Sequence, residues 1–468
     1  MNRKLLIVLM AVIATFALVA TGFAAHMTEG GFEYTPEIVK AKKSSINLSG
    51  SIRMRGYYYD DMDFSDAAAN NDAKAQYDHR IRLKVDATVS PNTMGVLELE
   101  TANTPGSTTG ADYVWGSNDA LGKGSYGSPS DGLDSSGNSK ANELNIRQAY
   151  ISHQGSGLLG VMSGMKVGHQ LITLGNGMFI NHSDFGDDAI VLWTTPADGM
   201  ELSLMAVKFD ENSGVGGVIG NSSDSDFYSL GISGKMDPVN YSADLSFLND
   251  SVGTDIDLWN LGIRGDMDIS GIKVSADFGI QFGEAQASET GGVDADFEGW
   301  AIVIGADTKI SDFNAHAEFS YGSGDDMATP EYEGYVTSLA SGQRSTFIAD
   351  YRTTGAGTTI TGGINCGQCG VNNAWYINVG GSMNATPDMK IAADLYYLGV
   401  SEEYMAPLFT DDDMGVELDA KVTYQIDNNL VWYAEGGILF AGDFYKNRTA
   451  GADVADPWGV RHGIILSF

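Results

Sequence analysis

The only two cysteines of the chain, Cys366 and Cys369, form a Cys-x-x-Cys pair within the segment GGINCGQCGVNN. This spacing occurs in redox dithiols, in metal sites, in haem attachment motifs and in local disulfides. Haem attachment requires a histidine after the second cysteine, where Gly370 stands. A four-thiolate metal site would need two further cysteines. A reactive dithiol favours a helix N-terminus, whereas the surrounding residues are rich in glycine and asparagine.

Charged and apolar residues alternate with a period of two in several segments. Residues 272–282 read IKVSADFGIQF, with apolar residues at the even positions and polar or small residues between them. An amphipathic helix would need apolar residues three and four apart, so the alternation predicts a strand. Its length fits the ~9–11 residues of a membrane-spanning barrel strand better than the ~5–6 of a soluble strand. The same pattern occupies 77–87, 313–321 and 416–425.

The connections between these segments are of two kinds. Short ones carry the Pro, Gly, Asn or Asp of tight turns, and they alternate with longer, acidic, Gly- and Ser-rich ones such as 102–142 and 323–373. The sequence therefore predicts an all-β fold, a single antiparallel transmembrane β-barrel with short periplasmic turns and long extracellular loops. We count 18 strands, and 16 would also fit. The predicted strands are 45–59, 77–89, 94–101, 143–153, 158–170, 189–195, 200–209, 226–236, 240–248, 255–267, 272–283, 297–308, 313–322, 374–385, 389–400, 415–425, 430–440 and 458–468.

In a barrel surrounded by lipid, the apolar face of each strand points outward and the charged face lines a wet lumen. The basic positions gather on the first strands and the last one, with two glutamates among them: Arg53, Arg55, Arg80, Arg82, Lys84, Glu98, Glu100, Arg147 and Arg461. The opposite wall is acidic: Asp244, Asp266, Asp277, Asp307, Glu318, Asp394, Glu417, Asp419 and Glu435. Such walls would filter charged solutes through a transverse field; alternatively, the charges only neutralise one another. The basic wall favours an anionic or polar solute and the acidic loops favour a cation, so the charge preference stays open.

The N-terminus begins MNRKLLIVLMAVIATFALVATGFAA, with two basic residues, an apolar run at 5–19 and small residues after it. This is the pattern of a secretory signal peptide, with cleavage predicted after Ala24. The run is short for an uncleaved anchor, which needs ~20 residues. The predicted organisation is a signal peptide at 1–24, a periplasmic N-terminal segment at 25–44 and the barrel at 45–468.

Other classes of function find little support in the sequence. The net charge of −34 argues against nucleic acid as a partner. There is no G-x-S-x-G elbow and no H-E-x-x-H motif, so we predict that the protein is not an enzyme and has no cofactor or resident metal. Acidic loop clusters such as Asp411–Asp413 lack the spacing of a calcium loop. They are interpreted as solvated charge, bridged by cations to lipopolysaccharide, with loop-bound calcium as the alternative.

The final segment, WGVRHGIILSF, alternates to a C-terminal Phe468. A chain ending in this way resembles the outer-membrane β-barrel proteins, whose last strand is recognised by the assembly machinery. The resemblance implies Phe468 as an assembly signal, the outer membrane of a Gram-negative bacterium as location, and outer-membrane lipid, lipopolysaccharide and the barrel assembly machinery as partners.

Residues 143–187 carry a second resemblance, over about a tenth of the chain. Arg147, Ala149, Tyr150 and Ile151, followed by Val167, Gly168, Gln170 and the glycines Gly175 and Gly177, resemble a segment of alginate-export and related substrate-specific porins. His169 replaces the arginine usual there. The resemblance implies that the loop at 171–188 folds inward as a constriction; an ordinary surface loop is the alternative.

The leading functional hypothesis is therefore an outer-membrane porin, a monomer or homotrimer whose water-filled channel allows passive diffusion of small hydrophilic or ionic solutes. The alternative is a barrel scaffold or export conduit for a polymer or protein partner. A gated transporter with a plug and some 22 strands would need a longer chain. Cys366 and Cys369 then fall in a long extracellular loop, in an oxidising compartment, so they are predicted to form a local disulfide.

Overall fold

The computed structural model describes residues 44–62, 64, 73–102, 113–114, 143–157, 160–212, 223–251, 255–286, 294–325, 329–337, 346–349, 371–402, 411–449 and 454–468. The predicted signal peptide at 1–24, the segment at 25–43 and the Cys366–Cys369 disulfide lie outside these residues. None of the described helices is long and apolar enough to cross a membrane.

Among the described residues, twenty strands form one antiparallel sheet, and eighteen of them close a barrel. The strands are β1 (Ser45–Asp60), β2 (Lys74–Ser90), β3 (Thr93–Ala102), β4 (Tyr113–Val114), β5 (Glu143–Ser156), β6 (Met162–Thr173), β7 (Asn181–Ala197), β8 (Met200–Asn212), β9 (Ser223–Met236), β10 (Val239–Asp250), β11 (Asp255–Ile269), β12 (Ile272–Gln286), β13 (Ala295–Phe297), β14 (Trp300–Ile310), β15 (Phe313–Gly322), β16 (Ala374–Thr386), β17 (Met389–Gly399), β18 (Asp413–Asp427), β19 (Leu430–Ala441) and β20 (Trp458–Ser467). A 3-10 helix follows β19 at Asp443–Thr449. The short strands β4 and β13 extend the pairing of β2 and β12. The barrel closes where β1 pairs with β20, from Ser51 opposite Ser467 to Asp60 opposite Trp458.

Tight turns gather at one end of the barrel, the short-turn end, and longer connections at the other, the long-loop end. Two-residue turns join β7 to β8, β9 to β10, β11 to β12 and four further strand pairs. Gly199 and Gly271 have φ values of +72° and +86° in these turns. A Cβ at either position would meet nothing within 4 Å, so the left-handed backbone, rather than crowding, explains the glycine.

The two faces of the strands differ as the alternation predicts. Large apolar side chains such as Ile81, Ile263, Phe282 and Val460 are exposed on the outer face. Arg55, Asp78, Arg264 and Asp277 occupy alternate positions on the inner face and are buried. Because a soluble protein would bury the apolar face instead, the predicted transmembrane barrel of about 18 strands is confirmed.

One predicted strand is much longer than its sequence pattern indicates. The expected strand 189–195 is part of β7, which begins at Asn181 and continues the pairing with β6 as far as Thr173 opposite Asn181. A bulge between Gln170 and Ile172 interrupts the register. The added part, NHSDFGDD, has no apolar alternation. The expected loop 171–188 is thus reduced to 174–180, and the remainder is strand.

The C-terminal Phe468 is paired into the barrel seam rather than left free. Gly50 of β1 and Phe468 exchange both backbone hydrogen bonds, at 2.8 and 3.0 Å. A Cβ at Gly50 would collide with the backbone carbonyl oxygen of Arg82 on β2 and would lie 2.8 Å from the phenylalanine ring, so the glycine lets both the neighbouring strand and the ring come close.

We expect Gly50→Ala to impair closure, because the added methyl would collide with the Arg82 carbonyl oxygen and the Phe468 ring and cost about 1–3 kcal/mol as overpacking does. Gly95→Ala is the matched control: Gly95 also lies on the outer face, and a Cβ there meets nothing within 4 Å. Refolding into vesicles, followed by the heat-dependent gel mobility of folded barrels, should give a lower folded yield for Gly50→Ala alone. Equal yields for the two variants would contradict this role of Gly50.

Candidate functional site

Two segments from the long-loop end fold into the barrel and fill part of its interior with apolar side chains. In the connection from β6 to β7, Met178, Phe179 and Ile180 are completely buried. In the connection from β15 to β16, Tyr335 and Val336 are also completely buried. The apolar cluster around Phe179, Ile180 and Val336 includes inward side chains of β8 to β12. On this side the segments narrow the interior, while a cavity of about 340 Å³ remains nearer the short-turn end, beside Asn176, Arg264 and Lys273.

The segment 332–337 is fixed to the barrel wall by polar side chains. The Gln281 amide donates to the Val336 carbonyl at 2.6 Å and accepts from the Val336 N–H at 2.7 Å. The Tyr335 hydroxyl donates to Asn260 Oδ1 at 3.1 Å. Burial and the nearby Asp277 carboxylate raise the pKa of the Tyr335 phenol well above its usual value, so the phenol stays protonated and able to donate.

A third inward segment, 346–349, packs against a different wall. Phe347, Ile348 and Ala349 join a buried cluster with inward side chains of β1, β16, β17 and β19, among them Tyr59, Tyr376 and Leu439. The Phe347 ring stacks on Tyr59 with the ring centres 6.0 Å apart. Both 332–337 and 346–349 belong to the same connection, so one loop contacts two walls of the barrel.

The predicted basic wall lies on the inner face of β1, β2, β5 and β20, and most of its cations contact carboxylates. Arg55 makes a bidentate contact with Asp78, with Nη2 2.7 Å and Nε 3.0 Å from Oδ2. Arg147 donates to Glu98 at 3.0 Å, and Arg82 bonds Glu100. Glu98 and Glu100 are therefore counterions of the basic wall.

The last strand adds to the same wall. Arg461 of β20 bonds Glu435 of β19, which also accepts from Lys421 Nζ of β18 at 2.9 Å. A cavity of about 180 Å³ lies over these side chains, and Asp419 and Phe347 border it. Lys421 is half exposed within it, at 51% of its side-chain surface. The wall thus presents paired charges together with a partly accessible ammonium group.

The predicted acidic wall contains basic side chains that sequence reasoning did not assign to it. Arg264 of β11 lies between Asp244 and Asp277, with Nη1 2.6 Å from Asp244 and Nε 3.2 Å from Asp277, and all three are buried. His316 Nε2 lies 2.6 Å from Asp394. Arg264 shares the inward parity of Asp266 in the segment LGIRGD, so strict alternation could have identified it.

The remaining predicted acidic residues are also on inner faces. Glu318 accepts from the Tyr376 hydroxyl at 2.5 Å. Glu417 and Asp419 face inward, but the segment 346–349 covers Glu417 completely. Asp307 of β14 is opposite His316 of β15. The structure thus brings Glu417, Asp419, Glu435 and Arg461 to one region and places Asp277 in another.

His169, which replaces an arginine in the resemblance of 143–187 to porins, does not face the lumen. It has the same parity as Val167, an exposed residue of the outer face, and its Nδ1 lies 3.1 Å from Asp188, which is 76% exposed. The inward positions beside it are Gly168 and the buried Gln170. The substitution of histidine for arginine therefore leaves the charge of the pore wall unchanged.

A closed antiparallel barrel with an apolar outer face and a charged, partly filled interior belongs to the class of transmembrane β-barrels with a polar lumen. Solved structures of similar fold include OccK9 (OpdG) of Pseudomonas aeruginosa, with 14% identity, a TM-score of 0.52 and coverage of 90% of this chain and 99% of that one. A BenF-like porin from Pseudomonas fluorescens Pf-5 has 11% identity and a TM-score of 0.53, with coverage of 91% and 99%. The outer membrane protein OpdK of Pseudomonas aeruginosa has 10% identity and a TM-score of 0.52, with coverage of 90% and 99%. No protein-family model matches the sequence, and no curated protein matches it.

Proposed function

We propose that the protein is an outer-membrane porin of a Gram-negative bacterium, which lets small hydrophilic or ionic solutes diffuse through a water-filled channel. The observation that carries this proposal is the row of charged side chains on the inner face of a closed, lipid-facing barrel. Arg82, Lys84 and Lys421 are partly exposed on this face, and a wet passage beside them is the arrangement that keeps such charges solvated.

The size of the barrel and its inward segments support a channel for small solutes. Barrel diameter grows with strand number, and porins of 16–18 strands leave an aqueous channel. Here the segments 174–180, 332–337 and 346–349 occupy part of that space. Cavities remain beside charged side chains on two walls, that of β18 to β20 and that of β10 to β12, and such walls favour polar solutes over apolar ones.

The conductance of the refolded protein in planar lipid bilayers tests this proposal. Refolded protein should form open, ohmic channels, and the reversal potential in a salt gradient should reveal their ion preference. A correctly folded barrel that conducts nothing without a partner would contradict the proposal and favour a scaffold or export conduit. A mock refolding that omits the protein serves as the control for leaks.

The proposal extends to the surroundings of the barrel. Outer-membrane lipid and lipopolysaccharide would contact its outer face and loops, and the assembly machinery would recognise the last strand with Phe468. A monomer and a homotrimer both fit a porin. Loop-bound calcium at the acidic clusters and the Cys366–Cys369 disulfide remain predictions, and mass spectrometry of alkylated native protein would detect free thiols if the disulfide is absent.

A further inference from the structure

Two carboxylates of β18, Glu417 and Asp419, bind the backbone of an inward segment. The N–H of Ile348 donates to Glu417 Oε1 at 2.6 Å, and the N–H of Ala349 donates to Oε2 at 2.9 Å. The N–H of Phe347 donates to Asp419 Oδ2 at 3.0 Å. Three successive amides therefore point at two side chains that are about seventy residues away in sequence.

Burial makes these contacts strong. Glu417 is 0% exposed, and a buried carboxylate is stable only where donors replace the water that it loses. Segment 346–349 supplies these donors, and the carboxylates in turn satisfy backbone groups that would otherwise be buried without partners.

The inner face of β18 and β19 has space for segment 346–349. Gly437 of β19 stands beside Asp419, and a Cβ there would collide with Asp419 Oδ1 and lie 3.1 Å from Phe347 Cβ. The bound segment places the Phe347 ring 5.1 Å from the Arg461 guanidinium. Thr346 and Phe347 then border the same cavity as Lys421, Glu435 and Arg461. The position of the segment therefore limits the space over the charged wall.

We infer that Glu417 and Asp419 are positioning residues of the pore, which hold segment 346–349 on the wall and so set the width of the passage rather than its charge preference. This inference rests on the proposed porin function. Glu417 and Asp419 accept hydrogen bonds from the backbone amides of the segment. Glu435, on the neighbouring strand, instead contacts the cations Lys421 and Arg461.

Single-channel recordings distinguish residues that set the width of the passage from residues that set its charge preference. Glu417→Gln and Asp419→Asn replace a carboxyl oxygen with an NH2 group that cannot accept a backbone N–H, so they should add a second, higher conductance level whose occupancy rises about tenfold or more. Glu435→Gln is the matched control, with the same replacement of a carboxyl by an amide on the neighbouring strand; it should shift the reversal potential without adding that level. Gly437→Ala changes no charge, yet it should act like Glu417→Gln by displacing Asp419 and Phe347.

Thiol labelling tests the attachment without any conductance. Ile348→Cys, in a background with Cys366→Ser and Cys369→Ser, places a thiol at a completely buried position of the segment. A membrane-impermeant thiol reagent should modify it about tenfold faster or more when Glu417→Gln is added, and at an unchanged rate when Glu435→Gln is added.

The outcomes are distinguishable. Equal labelling in all three backgrounds, or the same conductance levels for Glu417→Gln and Glu435→Gln, would overturn the positioning role. A wild-type barrel that does not conduct would instead overturn the porin function, and labelling would still decide whether the carboxylates hold the segment. Circular dichroism shows whether each variant is folded, and Asp419→Asn replaces Glu417→Gln if the latter does not fold.

Discussion

Arg264→Met should destabilise the barrel by about 3 to 5 kcal/mol, the typical cost of removing one partner from a buried ion pair. Arg264 lies between Asp244 and Asp277 inside the barrel, and its guanidinium contacts both carboxylates at 2.6 and 3.2 Å. Without it, two buried carboxylates face each other with no cation between them. Urea unfolding of the refolded protein in detergent micelles, followed by tryptophan fluorescence, would measure the change.

Lys273→Met is the control for this experiment. Lys273 borders the same cavity as Arg264, but it is 59% exposed and lies 3.8 Å from Asp266, so its loss should cost less than about 1 kcal/mol. Adding Asp244→Asn and Asp277→Asn to Arg264→Met should recover part of the lost stability, because the uncompensated charges are gone. If Arg264→Met and Lys273→Met unfold at the same urea concentration, the buried triad does not stabilise the barrel.

The second large effect concerns ion selectivity. Arg461→Gln removes a cation from the inner wall and leaves Glu435 with Lys421 as its cationic contact in the cavity. Two unit charges 4 Å apart interact by about 1 kcal/mol even in water, so the ratio of cation to anion permeability should rise about two- to fivefold. Reversal potentials in a potassium chloride gradient across a planar bilayer would measure it.

Lys208→Gln provides the same change in net charge on the outer face. Lys208 pairs with Asp224 and Asp226, and Asp226 alternates with the inward, buried Phe227. The reversal potential of this variant should match that of the wild type. If both variants shift it equally, the effect comes from overall charge and Arg461 does not line the path.

The strands could be predicted from the sequence because alternation is a local property of each segment. The predicted 272–283 and 430–440 differ from β12 and β19 by only a few residues at their ends. Turns marked by residues such as Gly199 and Gly271 could also be predicted, because the backbone conformation that they adopt is set within the turn itself. The prediction was wrong at β7, because a strand that continues past the apolar belt into the polar long-loop end has no apolar face to detect.

The inward segments could not be predicted, because what holds them lies far away in sequence. Phe347, Ile348 and Ala349 show no strand pattern, and their binding depends on carboxylates of β18. Glu417 has the same alternation as Glu435, so sequence assigned both to the pore wall. Only the structure distinguishes a carboxylate that binds backbone amides from one that contacts lysine and arginine.

The attachment of segments 332–337 and 346–349 to inner-wall side chains has a consequence for the order of folding. Gln281 and Glu417 belong to different strands, β12 and β18, and they become fixed sites on one interior only when the sheet has closed. We therefore expect the barrel to close first as a wider tube and to narrow when the segments dock on the finished wall. A sequence change within these segments would then alter the diameter of the passage while leaving insertion of the barrel into the membrane intact.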